Sequence, residues 1–208
     1  FPYGRITKYA SYRARETFVD MVKTADALGF DAFAAGDHLV MPKYAQRTTT
    51  EVWFDPFTFL AYVAGISDLR VLTDIVVVPY RTPFHTAKTV ATLDFMTGGK
   101  VIFGAAVGYL EGEFNALNIP FRERGPMTDE YLEIMKVLWT ADNPQYAGKF
   151  FQFSDVAFWP RPVQKPHPPI WIGGRTRLSM GRAVMHGDGW IPFNMDLAGL
   201  LEAMPVFD

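Results

Sequence analysis

The sequence contains no cysteine, and this absence excludes several kinds of chemistry at once. Without thiols, the 208-residue chain can form no disulfide, no thiolate metal site and no cysteine nucleophile. Catalysis must therefore rely on histidine, carboxylates, aromatic hydroxyls or a bound cofactor. We assign no metal site from the sequence.

The sequence also lacks an excess of basic residues and a long apolar run. Its formal net charge is −2, which leaves no basic face to neutralise a phosphate backbone, so we expect no nucleic-acid partner. No run approaches the length of about 18 apolar residues that a membrane helix needs. Residues 1–5 do not have the basic-then-apolar layout of a signal peptide. These absences predict a cytoplasmic protein with no membrane partner.

The residues that are present indicate an ordinary globular chain. With 49% hydrophobic and 20% charged residues, positions 1–208 fit one domain with a sizeable core. Aromatic residues make up 15% of the chain. This surplus suits a pocket for a flat ring in a small-molecule site, but aromatic filling of the core is the commoner explanation.

Helical and strand patterns alternate along the chain. Apolar spacing predicts a helix from Tyr12 to Leu28 and another from Thr86 to Thr97, which Gly98 ends. Asp55-Pro56 is a typical helix start, and residues 71–78 form a nearly continuous apolar strand. This alternation predicts an α/β fold with a parallel sheet, either a (β/α)8 barrel or an open doubly wound sheet. In both, the strands' carboxyl ends meet in one cleft. The clusters at these ends are Asp37-His38, Pro79–Arg81, Ala106–Tyr109, Gly173–Arg175 and Pro192–Asn194.

The stretch Pro168–Thr176 ends an apolar strand at two glycines and leads into a helical pattern. Residues without Cβ let backbone N–H groups approach an anion, and a helix start adds further N–H groups. Arg175 and Arg177 would reinforce a phosphate site there. A plain tight turn is equally compatible with the paired glycines.

Three acidic residues and one proline-rich segment need separate interpretation. Asp74 interrupts an apolar strand and fits a carboxylate at a bulge. Glu111 and Glu113 begin a short helix and are interpreted as partners of its dipole. The segment at about 142–169 is predicted to run over the surface: alternation predicts one small strand at Lys149–Phe153, and the proline-rich part after it can be neither helix nor central strand.

Taken together, the motifs resemble the bacterial luciferase-like family, and within it the branch of oxidoreductases that depend on coenzyme F420. The resemblance runs from Ala25 to Pro192. Its motifs are Phe33–Leu39 (FAAGDHL), Val78–Pro83 (VPYRTP), Gly98–Gly104 (GGKVIFG), Arg122–Gly125 (RERG), Ile170–Gly174 (IWIGG) and Gly187–Trp190 (GDGW).

The resemblance implies a (β/α)8 barrel of the TIM type, with the cofactor ring at its C-terminal mouth. About six of the eight strands are recognisable, the first of them at Phe1–Gly4. A phosphate loop at Gly173, Gly174 and Arg175 is implied. The other implied cofactor-binding residues are Asp74 and Ile75, which would share a cis peptide bond, and the small-residue rim Ala106, Val107 and Gly108.

The resemblance further implies hydride transfer between F420 and a small organic substrate. Asp37 and His38 would be the catalytic pair beside the ring, with His38 as the proton donor, although a histidine after Asp could merely cap the strand. Tyr44, Trp53 and Tyr109 would line the substrate pocket. Tyr109 stands where the family's sugar-phosphate dehydrogenases carry a catalytic glutamate, which disfavours a sugar phosphate.

Three other interpretations remain open. The first is a luciferase-type monooxygenase that uses FMN, and the second is a non-catalytic flavin-binding protein. The third is a flavodoxin-like sheet, which would need its phosphate loop after the first strand. An incomplete barrel with many surface aromatics also predicts a homodimer.

Overall fold

The computed structural model describes residues 12–47 and 53–207, which build helices around one parallel sheet. The helices are α1 (Tyr12–Ala27), α2 (Pro56–Ala64), α3 (Pro83–Thr97), α4 (Glu111–Ala116), α5 (Arg124–Thr140), α6 (Arg177–His186) and α7 (Leu197–Ala203). The strands are β1 (Ala32–Ala35), β2 (Arg70–Thr73), β3 (Val76–Val77), β4 (Val101–Ala106), β5 (Tyr146–Ala147), β6 (Gln152–Phe153), β7 (Ile170–Gly173) and β8 (Gly189–Ile191). Turns of 3₁₀ helix lie at Lys43–Arg47, Val78–Tyr80, Phe121–Glu123 and Met204–Val206.

The strand order of the main sheet distinguishes the two predicted architectures. The order is β1-β2-β4-β7-β8 with all neighbours parallel, and β3 continues the line of β2 beside β4. Spatial order follows chain order without reversal, whereas a doubly wound sheet reverses at its switch point. The winding is that of a (β/α)8 barrel that the described strands do not close. The predicted incomplete barrel is thereby confirmed, while the strand predicted at Phe1–Gly4 lies outside the described residues.

The helix boundaries follow from local capping chemistry. The Asp55 carboxylate accepts the Thr58 N–H at 2.8 Å, and Pro56 occupies the first turn of α2, where its missing N–H costs nothing. At the other end of α3, Gly98 adopts the left-handed conformation (φ 66°) that ends a helix without a Cβ penalty. Both boundaries agree with the sequence prediction.

The core lies between the sheet and the helices packed on its outer face. All six residues of β4 are buried, which explains their uninterrupted apolar and small character. Phe103 of this strand packs against Trp139 of α5, and the Trp139 indole N–H donates to the Ala87 carbonyl of α3 at 3.0 Å. This bond satisfies the one polar atom of a fully buried tryptophan and holds α3 against α5.

The segment 142–169 runs across α3 and α5 and is held there by two buried carboxylates. Glu130 accepts the N–H groups of the turn at 149–151, which joins β5 to β6. Asp94 accepts the N–H groups of Val163 and Gln164. The sequence predicted one small strand at Lys149–Phe153. The structure has an antiparallel hairpin instead, because the N–H groups of residues 149–151 bond to Glu130 and leave only β6 as strand in that stretch.

Candidate active site

A bulge between β2 and β3 shapes the carboxyl edge of the sheet. Leu72 pairs with Ile102 and Val76 with Ala105, so three residues on one strand, 73–75, face only two on the other. The Thr73 hydroxyl replaces the interrupted ladder: it donates to the Gly104 carbonyl and accepts the Gly104 N–H, both at 2.8 Å. The peptide bond between Asp74 and Ile75 is cis, as the resemblance implies. Asp74, the acidic residue that interrupts the apolar strand pattern, thus lies in this bulge.

The bulge lies between two of the predicted clusters, those at the ends of β1 and β7. A Cβ on Gly173 would collide with the side chain of Ile75, so the absence of that Cβ is what allows the bulge to approach the end of β7. On the other side, a Cβ on Gly36 would lie 3.1 Å from the Asp74 carbonyl and 2.8 Å from the Trp53 ring. Ile75 thus lies between the ends of β1 and β7.

Asp37 has an anchoring position rather than an open one. Its carboxylate is 3% exposed, accepts two hydrogen bonds from Arg81 at 2.7 and 3.0 Å, and accepts the Val77 N–H at 3.0 Å. Arg81 also bonds to Asp55, the cap of α2. Burial raises the pKa of the Asp37 carboxyl against the opposing effect of Arg81, whereas these carboxylates raise the pKa of Arg81 despite its burial. The two parallel hydrogen bonds require an ionised pair.

His38 points its Nδ1 at a carboxylate that sequence reasoning did not assign to the site. Glu113 lies in α4, is 0% exposed, and its Oε2 is 2.7 Å from His38 Nδ1. The same oxygen accepts the Tyr80 hydroxyl at 2.7 Å, while Oε1 accepts the N–H groups of Leu39 and Val40 at 2.6 and 3.2 Å. Burial alone would raise the pKa of Glu113, but hydrogen bonds from His38 and Tyr80 dominate and lower it.

The interpretation of Glu113 as a helix-dipole partner missed this network. The sequence offered a weak signal, since Glu111 and Glu113 both open the same short helix after a strand end. Glu111 is exposed and Glu113 is buried. The difference depends on the rotation of α4, which the spacing of two acidic residues does not reveal.

Aromatic rings surround His38 at the mouth. Trp53 lies edge-on at 4.5 Å between ring centroids and Tyr109 at 6.1 Å, and Phe193 extends the row 6.4 Å beyond Tyr109. Phe193 was not predicted to line the substrate pocket, although the cluster Pro192–Asn194 that contains it was predicted to end at the same cleft. Tyr44 is 65% exposed, and its hydroxyl accepts the Gly112 N–H at 3.1 Å. It therefore ties the loop after His38 to α4.

The small-residue rim lies at the end of β4. Ala106 pairs with Val77, and Val107 and Gly108 follow it. A Cβ on Gly108 would meet Val77 at 2.6 Å and the Phe114 ring at 2.8 Å, so this glycine permits close packing of α4 on the sheet. Its φ of 79° requires glycine as well.

In the glycine loop after β7, the backbone nitrogen of Gly174 is not available as predicted. The Gly174 N–H donates to the Ile191 carbonyl at 3.0 Å, so the predicted grip of this amide on an anion is wrong: the sheet already uses it. The first amides of α6, at Arg177 and Leu178, donate to no group of the described residues. Arg175 lines an open cavity of about 520 Å³ beside this helix start, together with residues 194–196 and Gly199. The anion-binding potential therefore lies at α6 and Arg175.

Other features of the described residues lie apart from this edge. A groove of about 550 Å³ runs between α2 and α3 on the outer face. Within 12–47 and 53–207, no group of three or more His, Asp or Glu side chains is placed to hold a metal ion. No helix in these ranges has the length and hydropathy to cross a membrane.

The fold is that of an incomplete (β/α)8 barrel, and the candidate site lies at the carboxyl ends of its parallel strands. The chain belongs to the luciferase-like monooxygenase family, whose sequence profile matches residues 4–207. It is 32% identical over 143 residues to an FMNH2-dependent dimethylsulfone monooxygenase of Pseudomonas putida, covering 67% of this chain and 39% of that protein.

Solved structures that resemble this chain include a monooxygenase and an F420-dependent dehydrogenase. The monooxygenase RslO1 from Streptomyces bottropensis superimposes with a TM-score of 0.80 at 26% identity, covering 92% of this chain and 58% of that one. An F420-dependent secondary alcohol dehydrogenase, solved with an F420–acetone adduct, superimposes with a TM-score of 0.72 at 20% identity, covering 90% and 59%. The chain thus spans between about two fifths and three fifths of these three proteins.

Proposed function

We propose that the chain carries the cofactor site and the proton-transfer group of an oxidoreductase that transfers a hydride between coenzyme F420 and a small organic substrate. The observation that carries the proposal is the His38–Glu113 pair beside the Ile75 bulge. His38 Nδ1 is engaged by Glu113, whereas Nε2 bonds to no group of the described residues. A histidine held by one nitrogen at a strand's carboxyl end is suited to exchange a proton with a substrate through the other.

The residues at this edge fit a planar ring with an anionic tail. Ile75 offers an apolar, half-buried surface at the bulge, and Trp53 and Tyr109 offer aromatic walls. The free amides of α6 and the Arg175 guanidinium are of the right charge for a phosphate group. Asp37 would act by fixing Arg81 and the end of β3 rather than by touching substrate.

Each residue then has a defined task. When bound, the reduced ring supplies a hydride to an acceptor carbon. His38 would give the proton that the acceptor oxygen needs, so that a carbonyl becomes an alcohol with atoms and charge balanced. Tyr109, Trp53 and the loop tied down by Tyr44 would exclude water from the substrate.

A second candidate, a monooxygenase that uses reduced FMN and oxygen, is favoured by a different observation. The dimethylsulfone monooxygenase and RslO1, at 32% and 26% identity, are both described as monooxygenases. The same apolar platform and anion site would accept FMN. The histidine would again serve as the proton-transfer group, because either chemistry needs one.

Binding and turnover measurements separate the candidates. Titration of the protein with F420 and with FMN, followed by fluorescence, should show tight F420 binding; FMN binding without F420 binding would reject the first proposal in favour of the second.

The role of Arg175 is tested by substitution: Arg175→Ala should weaken binding of the phosphorylated cofactor about tenfold. Arg70→Ala is the matched control: Arg70 begins β2, at the end of the strand away from the candidate site, so its loss should not weaken cofactor binding.

A turnover assay tests the third interpretation. A protein that binds cofactor but does not turn over alcohols, carbonyls or sulfur compounds would be a carrier. The homodimer remains a prediction for analytical ultracentrifugation.

A further inference from the structure

One buried carboxylate lies within hydrogen-bond distance of four polar groups at the candidate site. Glu113 Oε2 accepts the Tyr80 hydroxyl and lies 2.7 Å from His38 Nδ1, and Oε1 accepts two backbone N–H groups of the loop that follows His38. We propose that Glu113 is a positioning residue that keeps the proton of His38 on Nδ1 and so leaves Nε2 facing the cleft for proton exchange. The kinetic part of this inference rests on the proposed function; the structural part does not.

The donor count determines where the histidine proton lies. An ionised carboxylate is acceptor-only, so a nitrogen at 2.7 Å from it must carry a proton. A bare Nδ1 would set two lone pairs against each other beside a fully buried carboxylate. A protonated Glu113 would need to donate one of these four contacts, yet three of its partners are donors only or are placed as donors. These three donors therefore favour the carboxylate form of Glu113, and His38 Nδ1 must then donate to it.

The surroundings hold both partners in place. Phe114, the next residue of α4, is fully buried and packs on Tyr80 and Phe121 at 5.0 and 5.3 Å between ring centroids, which fixes the backbone of Glu113. Trp53 and Tyr109 confine the His38 ring from two sides. A half-turn of the ring would replace the Nδ1–H bond by a C–H contact. The imidazole thus has one favourable orientation.

Tyr80 completes the arrangement without competing for the proton-transfer role. Its hydroxyl is buried, and burial together with the adjacent Glu113 carboxylate raises its pKa far above neutrality. It stays a neutral donor to Oε2. It therefore supports the charge on Glu113 and leaves proton exchange to the histidine.

The direct test is the protonation pattern of His38 in the folded protein. With ¹⁵N-labelled histidine, one- and two-bond ¹H–¹⁵N couplings identify which ring nitrogen carries hydrogen, and the signal missing from His38→Gln assigns the residue. We expect a protonated Nδ1 in the wild type at neutral pH. In Glu113→Gln, the neutral amide can donate to Nδ1, so the proton should move wholly or partly to Nε2. A bare Nδ1 in the wild type overturns the inference, and this result needs no variant of Glu113 to fold; the only variant involved is His38→Gln, which assigns the signal.

Matched variants distinguish positioning from plain stability. Glu111→Gln removes the same charge from the exposed face of α4 and should leave the His38 pattern unchanged. Tyr80→Phe removes a donor to Oε2 but keeps the carboxylate, so Nδ1 should stay protonated. If Glu113→Gln folds and His38 keeps its wild-type pattern, Glu113 does not position the proton.

Kinetics provide the second readout. Proton-transfer groups contribute about 10²–10⁴-fold to turnover, so we expect Glu113→Gln to lower kcat about 10²-fold with KM nearly unchanged. Glu113→Asp, which keeps the charge, should recover part of the loss. An unchanged kcat in Glu113→Gln would contradict the inference. Absence of turnover in the wild type would reject the proposed function instead, and the NMR result would still stand.

Discussion

Replacing Gly104 by alanine tests whether the β2–β3 bulge organises the site. The added methyl group would lie about 1.2 Å inside the 3.0 Å limit that Cβ atoms observe, and the atom it meets is the Thr73 backbone carbonyl, which cannot rotate away. Overpacking of this kind costs about 1–3 kcal/mol, and each lost Thr73–Gly104 hydrogen bond adds about 0.5–1.5 kcal/mol. We therefore expect Gly104→Ala to lose about 3 kcal/mol.

Urea unfolding and thermal melting measure this loss. For a chain of this size, 3 kcal/mol corresponds to a fall in Tm of about 6–12 °C. Cofactor affinity should fall as well, because the strand must move at Ile75. Gly181→Ala is the control: it lies in α6 with nothing within 4 Å of its new methyl group and should stabilise by about 0.5–1 kcal/mol. A Gly104→Ala protein with wild-type midpoint and affinity would refute the role given to the bulge.

Three further predictions concern buried charge, acid and capping. Arg81→Met leaves the Asp37 carboxylate buried alone and should cost about 3–5 kcal/mol in urea, whereas Arg70→Met at an exposed pair should cost less than about 1 kcal/mol; equal losses would contradict the buried pair. Because folding lowers the pKa of Glu113 below 4.5, its network stabilises the fold above that pH and is lost as pH falls, so the unfolding free energy of Glu113→Gln should vary less than wild type between about pH 3 and 5. Thr176→Ala removes one half of the α6 capping box and should cost about 1 kcal/mol by the same assay; no loss would mean that the cap contributes nothing.

The helix boundaries could be predicted from the sequence because they depend on local capping chemistry. A side-chain cap, a first-turn proline or a terminal glycine acts within four residues of itself, so Asp55-Pro56 and Gly98 marked their helices correctly. The hairpin in the segment 142–169 was predicted only in part, as one strand instead of two. Its register depends on Glu130, which lies in the preceding helix.

The candidate site shows the complementary limit. The strand-end clusters were predicted because parallel strands present their carboxyl ends at one edge, and the structure brings Gly36, Ile75 and Gly173 together there. The atoms in contact could not be predicted the same way. The Gly174 amide is used by the sheet, since β8 pairs beside it in a register that the glycine motif does not specify.

From its order of residues alone, the chain determined its α/β class, its helix limits and the set of segments that end at the mouth, because periodicity and capping act between near neighbours. Only the folded structure decided that Glu113 bonds to His38, 75 positions away, and that Arg81 pairs with Asp37, 44 positions away. Such pairs depend on strand register and on how far each helix is rotated about its axis. Both are settled by packing the whole core, and neither leaves a periodic trace in the sequence.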